Sequence, residues 1–177
     1  NAIKKASELI DMSKHQGTHP RMGATDVCPL VPIDNVSMKD CVKYSNILAK
    51  KVSEELSIPI YMYEKSANSK DRVNLSNIRL GEYEGMSRKI QQNEWKPDYG
   101  KSEINIRSGV TAVGAREFLI AYNVNLNTHD KKKATDIALD IRESGRAKRD
   151  KNNKILRDQN GNIIKVPGKL KNCKAVG

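Results

Sequence analysis

Two prolines interrupt the apolar run "TDVCPLVPI" (Thr25–Ile33), and they decide where it can sit. The run is short and β-branched enough to be a strand. Pro29 and Pro32, however, have no amide hydrogen to give to a ladder, so the strand belongs at a sheet edge or a strand end. A helix is predicted next, over "SMKDCVKYSNILAKKVSEELS". Ser37 is suited to cap it, with Asp40 three residues on. Cys41, Val42, Tyr44, Ile47, Leu48, Val52 and Leu56 are spaced to line one face. "IPIYMYE" then reads as a second strand.

The remaining segments continue the alternation. Ile3, Ala6, Leu9 and Ile10 give "NAIKKASELIDMSKH" helical spacing that ends near Gly17. Residues 66 to 82 are polar and turn-rich, with a short helix expected at about Leu75 to Leu80. "WKPDYGKSEINIRSGVTAVGAR" reads as loop, punctuated by Gly100, Gly109 and Gly114. In "EFLIAYNVNLNT" the alternation of Phe118, Ile120, Tyr122, Val124 and Leu126 predicts a half-buried strand. A helix is expected from Asp130 to Gly145, and a hairpin around Asn160-Gly161. No internal repeat stands out from spacing alone. The predicted class is α+β, with helices packed on one face of a small mixed or antiparallel sheet.

Charge narrows the partners. The 177 residues carry a net charge of +11, and aromatics are only 5%, so the core must rely on aliphatic side chains. From Arg146 to Lys174, Arg146, Lys148, Arg149, Lys151, Lys154, Arg157, Lys165, Lys169, Lys171 and Lys174 face only Asp150 and Asp158. Such an arm reads first as a solvated surface. It also fits attraction of small polyanions or of nucleic acid. Cys28, Cys41 and Cys173 form no CxxC and no even framework, which argues against disulfides and zinc and for a reducing, cytoplasmic setting. No apolar run approaches the roughly 20 residues of a membrane span.

The stretch "THPRMG" (Thr18–Gly23) carries the clearest chemistry. His19 can take and give a proton near neutral pH. Pro20 biases it toward an extended conformation. Arg21 offers a planar fork suited to a carboxylate, and Gly23 permits close approach of backbone. The competing reading is a turn histidine with no chemical role. His15 and His19 would have metal-ligand spacing only on a helix, which Gly17 and Pro20 oppose, so no metal is expected. His129 lies at a strand–helix junction and reads as a surface or capping residue. No Ser-His-Asp spacing, P-loop or nucleophile elbow is present.

Taken together, "HPRMGATDVCPLVPI", "GEYEG", "EWKPDYG", "GVTAVGAREFLIAYNVNL" and "IRESGRAKR" resemble the formiminotransferase family. That family moves a formimino group from formiminoglutamate to N5 of tetrahydrofolate, in histidine degradation and one-carbon metabolism. The resemblance implies two ferredoxin-like subdomains with folate in a cleft between them. It places the boundary near Phe118, giving an N-terminal subdomain over 1–117 that lacks its beginning and a truncated second subdomain over 118–177. It implies His19 as the catalytic acid–base residue and tetrahydrofolate as co-substrate. It also implies a folate-contacting loop from Gly100 to Gly109: Gly100, Lys101, Ser102, Glu103, Ile104, Asn105, Ile106, Arg107, Ser108 and Gly109. Arg21 as a holder of substrate carboxylate and Asp26 as an orienter of the imidazole are inferences beside the resemblance. The stretch Asp150 to Pro167 reads as an insertion relative to shorter members. The partners implied are small molecules, with neither nucleic acid nor membrane; a homodimer is compatible with this.

The rival reading is a basic RNA-binding α+β module. The charge favours it. A single Phe, few aromatics for stacking and no RNA motif oppose it.

Overall fold

The computed structural model describes residues 1–177, which divide into two compact units, Asn1–Ile120 and Ala121–Gly177. In the first, helix α1 (Ala2–Leu9) is followed by strand β1 (Val27–Leu30), helix α2 (Met38–Leu56) and strand β2 (Ile60–Met62). Helices α3 (Leu75–Arg79) and α4 (Glu82–Lys89) and strand β3 (Thr111–Ala115) complete it. The strands form one sheet in the order β1-β3-β2, both pairings parallel, with Ala112 between Val27 and Tyr61. The proline-bearing β1 is an edge strand, as its missing donors require.

The class is α+β, but the helices do not keep to one face, and the first unit's sheet is parallel. One core cluster joins Ala49 and Val52 of α2 and Ile3 of α1 to Ile60, Met62 and Val113. The other joins Ile78, Met86 and Ile90, at or beside α3 and α4, to Tyr61, Tyr63 and Ala112. Alternate residues of each strand therefore point to opposite helical layers. The topology explains this. The β1-to-β2 crossover passes over the sheet in one direction and the β2-to-β3 crossover returns. Right-handed connections that reverse direction place their helices on opposite faces. Antiparallel pairing occurs in the second unit.

Covered on both faces, β3 is buried at every position. "TAVGA" therefore shows no alternation, and the loop predicted over it is corrected to the central strand. The reverse correction applies to Phe118–Leu126. It forms no strand, and Ile120 and Tyr122 are 90% and 85% exposed. No strand of this chain pairs with the alternating run, so its apolar side chains stay in water.

Helix α2 starts as predicted. The Asp40 amide donates to Ser37 Oγ (3.2 Å) and the Ser37 amide to Asp40 Oδ2 (3.0 Å). Its buried stripe is Cys41, Ser45, Ala49 and Val52, while Tyr44 and Ile47 are about half exposed. Ser45 faces inward because the sheet's end needs a hydroxyl there. Ser45 and Ser66 hydroxyls bond at 2.7 Å, and Ser66 Oγ accepts from the Ala115 amide (3.0 Å). Helix α1 ends eight residues before Gly17. The Arg107 guanidinium takes the carbonyls of Ser7 (3.1 Å) and Glu8 (2.7 Å), satisfying acceptors that further turns would otherwise use. Lys89 does the same for α3, donating to the carbonyls of Asn77, Ile78 and Leu80.

In the second unit, helix α5 (Lys131–Ile141) is capped by the Asp130 carboxylate, which accepts from the Lys132 amide. Strands β4 (Arg146–Ala147) and β5 (Lys165–Val166) pair antiparallel. Between them lies a repeat that spacing alone did not reveal. Asp150 Oδ1 accepts from the amides of Asn152 and Lys154, and Asp158 Oδ1 from those of Asn160 and Asn162. Arg149 donates to the Asn153 carbonyl and Arg157 to that of Gly161. Asn153 and Gly161 both have positive φ, 65° and 82°. These are two copies of one eight-residue turn. They meet in a ring, with amides of Lys148, Leu156 and Ile164 donating to the carbonyls of Ile164, Lys148 and Leu156. The predicted hairpin around Asn160-Gly161 is its second copy.

Candidate active site

His19 lies in an exposed bend between α1 and β1. Its Nδ1 is 2.9 Å from the Pro20 carbonyl. A carbonyl can only accept, so Nδ1 carries a hydrogen, and in the neutral ring that tautomer leaves the lone pair on Nε2. The exposed ring is anchored from the next residues onward. Met22 is fully buried, and its carbonyl accepts from the Val110 amide (3.0 Å). The Ala24 amide donates to the Ser108 carbonyl (2.9 Å), and Gly23 pairs with Gly109. Both glycines are obligatory. A Cβ on Gly23 would lie 2.1 Å from the Val110 carbonyl oxygen, and one on Gly109, where φ is +70°, 2.2 Å from that of Met22.

Arg21 is not a free clamp. Nη1 reaches Glu82 and Glu84 (both 2.9 Å), and Nη2 reaches Glu84 (2.6 Å) and the His15 carbonyl (3.1 Å). Its guanidinium therefore holds the start of α4 to the His19 bend. Asp26 does not touch the imidazole, contrary to the expected orienting role. Its carboxylate bonds the Arg79 guanidinium and accepts from the Met22 amide (2.9 Å). A largely buried carboxylate beside an arginine is best satisfied there, immediately before β1, and it braces the bend.

Glu82 and Glu84 went unmarked as functional positions. The available signal was two acids just after Gly81, at a helix start that favours negative charge. The hydrogen bond from Arg21 holds the Glu84 carboxyl down to about 2 from an ordinary 4.5. A lowered folded value means the contact is complete above 4.5 and unlatches as pH falls through about 2. Carboxylate NMR should find the Glu84 midpoint near 2, returning to the ordinary range in Arg21→Ala. An ordinary midpoint in the unsubstituted protein would refute the latch.

The loop Gly100–Gly109 divides by role. Gly100, Lys101, Glu103, Ile104 and Asn105, with Ser53, Glu54 and Ser57 from the end of α2, line a cavity of about 500 Å³. Ser102 lends its carbonyl to Gln91. Asn105 braces the loop, donating to the Ser57 carbonyl and accepting from the Ser108 amide. Ile106 is exposed, Arg107 caps α1, and Ser108 is buried. A second cavity of about 440 Å³ lies beside the His19 bend, lined by Gln16, Gly17, Arg21, Gly81, Glu82 and Glu84. The bend and the loop are thus joined through Gly23 and Gly109 but line separate cavities.

The sequence is similar to that of known proteins. The family model for the formiminotransferase domain, N-terminal subdomain, matches residues 1–116, and that for the formiminotransferase domain matches residues 121–177. A glutamate formimidoyltransferase of Streptococcus pyogenes serotype M1 is 52% identical over 143 residues, covering 81% of this chain and 48% of that protein. A glutamate formimidoyltransferase of Thermoplasma acidophilum is 46% identical over 142 residues, covering 79% of this chain and 46% of that protein. A formimidoyltransferase-cyclodeaminase of Dictyostelium discoideum is 45% identical along the whole chain, which covers 30% of that protein. The chain therefore spans about half, or less, of these relatives. With residues 1–116 and 121–177 matched by these two models, the chain belongs to the formiminotransferase family.

Proposed function

We propose that this chain forms part of a glutamate formimidoyltransferase, moving the formimino group of N-formimino-L-glutamate to N5 of tetrahydrofolate, with His19 as the proton shuttle. The observation that supports the reading is an exposed imidazole, bonded through Nδ1 to the Pro20 carbonyl, whose flanking backbone is locked to the loop lining the 500 Å³ cavity. The N5 amine attacks the formimino carbon and gives a tetrahedral centre. Nε2 takes the proton that the attacking nitrogen sheds. The same proton passes to the glutamate nitrogen as its bond to carbon breaks, leaving glutamate and restoring the neutral ring. Gly100–Gly109 holds the folate, and Lys101 and the net positive charge favour its anionic glutamate. The three free thiols suit a reducing, cytoplasmic setting.

Family membership speaks for the transferase over the RNA-binding reading, and so does the basic stretch itself. Arg146 is spent on Asp136 and Asp140, and Arg149 and Arg157 on carbonyls of their own turns. The test uses the full-length enzyme containing this chain. Formiminoglutamate and tetrahydrofolate should yield 5-formiminotetrahydrofolate and glutamate. RNA binding that falls steeply with salt, with no formimino transfer, would replace this reading with its rival.

A further inference from the structure

We propose that Tyr83 is a positioning residue for this transfer, its amide and hydroxyl together setting the spacing between the His19 bend and the Gly100–Gly109 loop. The inference rests on the function proposed above for those two segments. The Tyr83 amide donates to the Arg21 carbonyl (2.9 Å), two residues past His19. The Tyr83 hydroxyl donates to the Ile106 carbonyl (2.7 Å), within the loop. One residue thus touches both, through its backbone and its side chain.

The pairing of Gly23 with Gly109 fixes only the far end of the loop. Ile106 lies three residues earlier, and its side chain is 65% exposed, so packing holds it little. The Tyr83 hydroxyl acts at that point. The helix start that carries Tyr83 is built at a cost. Gly81 has φ +91°, and Glu82, which has a side chain, has φ +53°. A left-handed glutamate persists where its surroundings over-determine it. Here Arg21 does so by gripping Glu82 and Glu84 on either side of Tyr83. The outcome is a first-turn amide, which has no partner within its own helix, aimed at the His19 bend. Two-substrate transfer is sensitive to such spacing, since a shift of about 1 Å can cost about 10²-fold.

Tyr83→Phe in the full-length enzyme keeps the ring and the amide and removes only the hydroxyl. KM for tetrahydrofolate should rise about 3- to 10-fold, the scale of one hydrogen bond. KM for formiminoglutamate and the shape of the pH profile should not change. In a His19→Ala background, where chemistry is suppressed, equilibrium affinity for tetrahydrofolate should fall by the same factor. A lower melting temperature with folate KM and affinity unchanged would mean a merely structural tyrosine and would overturn the inference alone. If the unsubstituted enzyme neither binds tetrahydrofolate nor transfers the group, the proposed function fails, and this inference with it.

Discussion

His19→Ala in the full-length enzyme lowers kcat for formimino transfer by roughly 10²- to 10⁴-fold, the range expected of a positioned general acid–base group. Tetrahydrofolate affinity should hold, because the imidazole's only bond is to the carbonyl of its own neighbour, Pro20. The fold should hold too. His19 is exposed, and the bend is fixed by Met22, Gly23 and Ala24 rather than by the ring. Loss of activity without loss of binding or stability is therefore the signature. His19→Asn makes the complementary test. Asparagine can place an amide near Nδ1 and keep the bond to the Pro20 carbonyl, but it cannot accept and return a proton at neutral pH. It should be as inactive as alanine. Turnover within threefold of the unsubstituted enzyme in either variant would remove His19 from the chemistry and leave it a bend residue.

The sequence spoke clearly where the signal was local. Ser37 and Asp40 are close enough in the chain to cap α2 with no help from the rest of the fold. Pro29 in β1 dictates an edge through chemistry it carries itself. It misled where burial was decided by distant segments. "TAVGA" has small residues and no alternation because both of its faces are covered, and nothing within five residues announces that. Phe118 to Leu126 alternates faithfully but meets no partner strand in this chain. Whether helices lie on one face or two follows from the order β1-β3-β2, which is a property of pairing and not of any one segment.

The candidate site divides in the same way. Gly23 and Gly109 were legible because glycines at close approaches are special wherever they occur. The partners of Arg21 and Asp26 within the chain are not legible in the same way. A side chain with two charges within reach goes to the nearer and better oriented. Arg21 finds Glu84 63 positions away, and Asp26 finds Arg79 53 positions away. Both pairings join the His19 bend to the α3–α4 segment. That segment reads in sequence as polar and turn-rich, yet it carries the bracing of the site.

Removing the carboxylate of Asp98 should destabilise the fold by about 3–5 kcal/mol, the expected cost of breaking a buried ion pair from one side. The Arg72 and Asp98 side chains are 9% and 6% exposed and meet at 2.7 Å. Almost every polar atom there has a partner. Asp98 accepts from the Met62 amide and from Asn68, and Arg72 donates to the carbonyls of Glu94 and Lys96. The guanidinium also lies over the Tyr61 ring, 5.2 Å from its centre. Asp98→Ala strands that cation, as well as the amide of Met62, the last residue of β2. The Coulomb attraction is lost while the desolvation of the arginine remains. Replacing both partners, as in Arg72→Met with Asp98→Leu, removes the stranded charge and should recover part of the loss. It cannot recover all, because Met62, Glu94 and Lys96 keep backbone groups with nothing to bond. Urea unfolding of the two variants separates these contributions, with the double variant more stable than Asp98→Ala. The damage should also reach the site. Asp98 and Tyr99 precede Gly100, and their amides are held on the Ile60 carbonyl. When that turn loosens, the cavity wall formed by Gly100 to Asn105 loosens with it, so folate KM should rise in Asp98→Ala even at temperatures where the protein stays folded. A midpoint shift worth less than about 1 kcal/mol would show that the pair is solvated and worth no more than an ordinary surface contact.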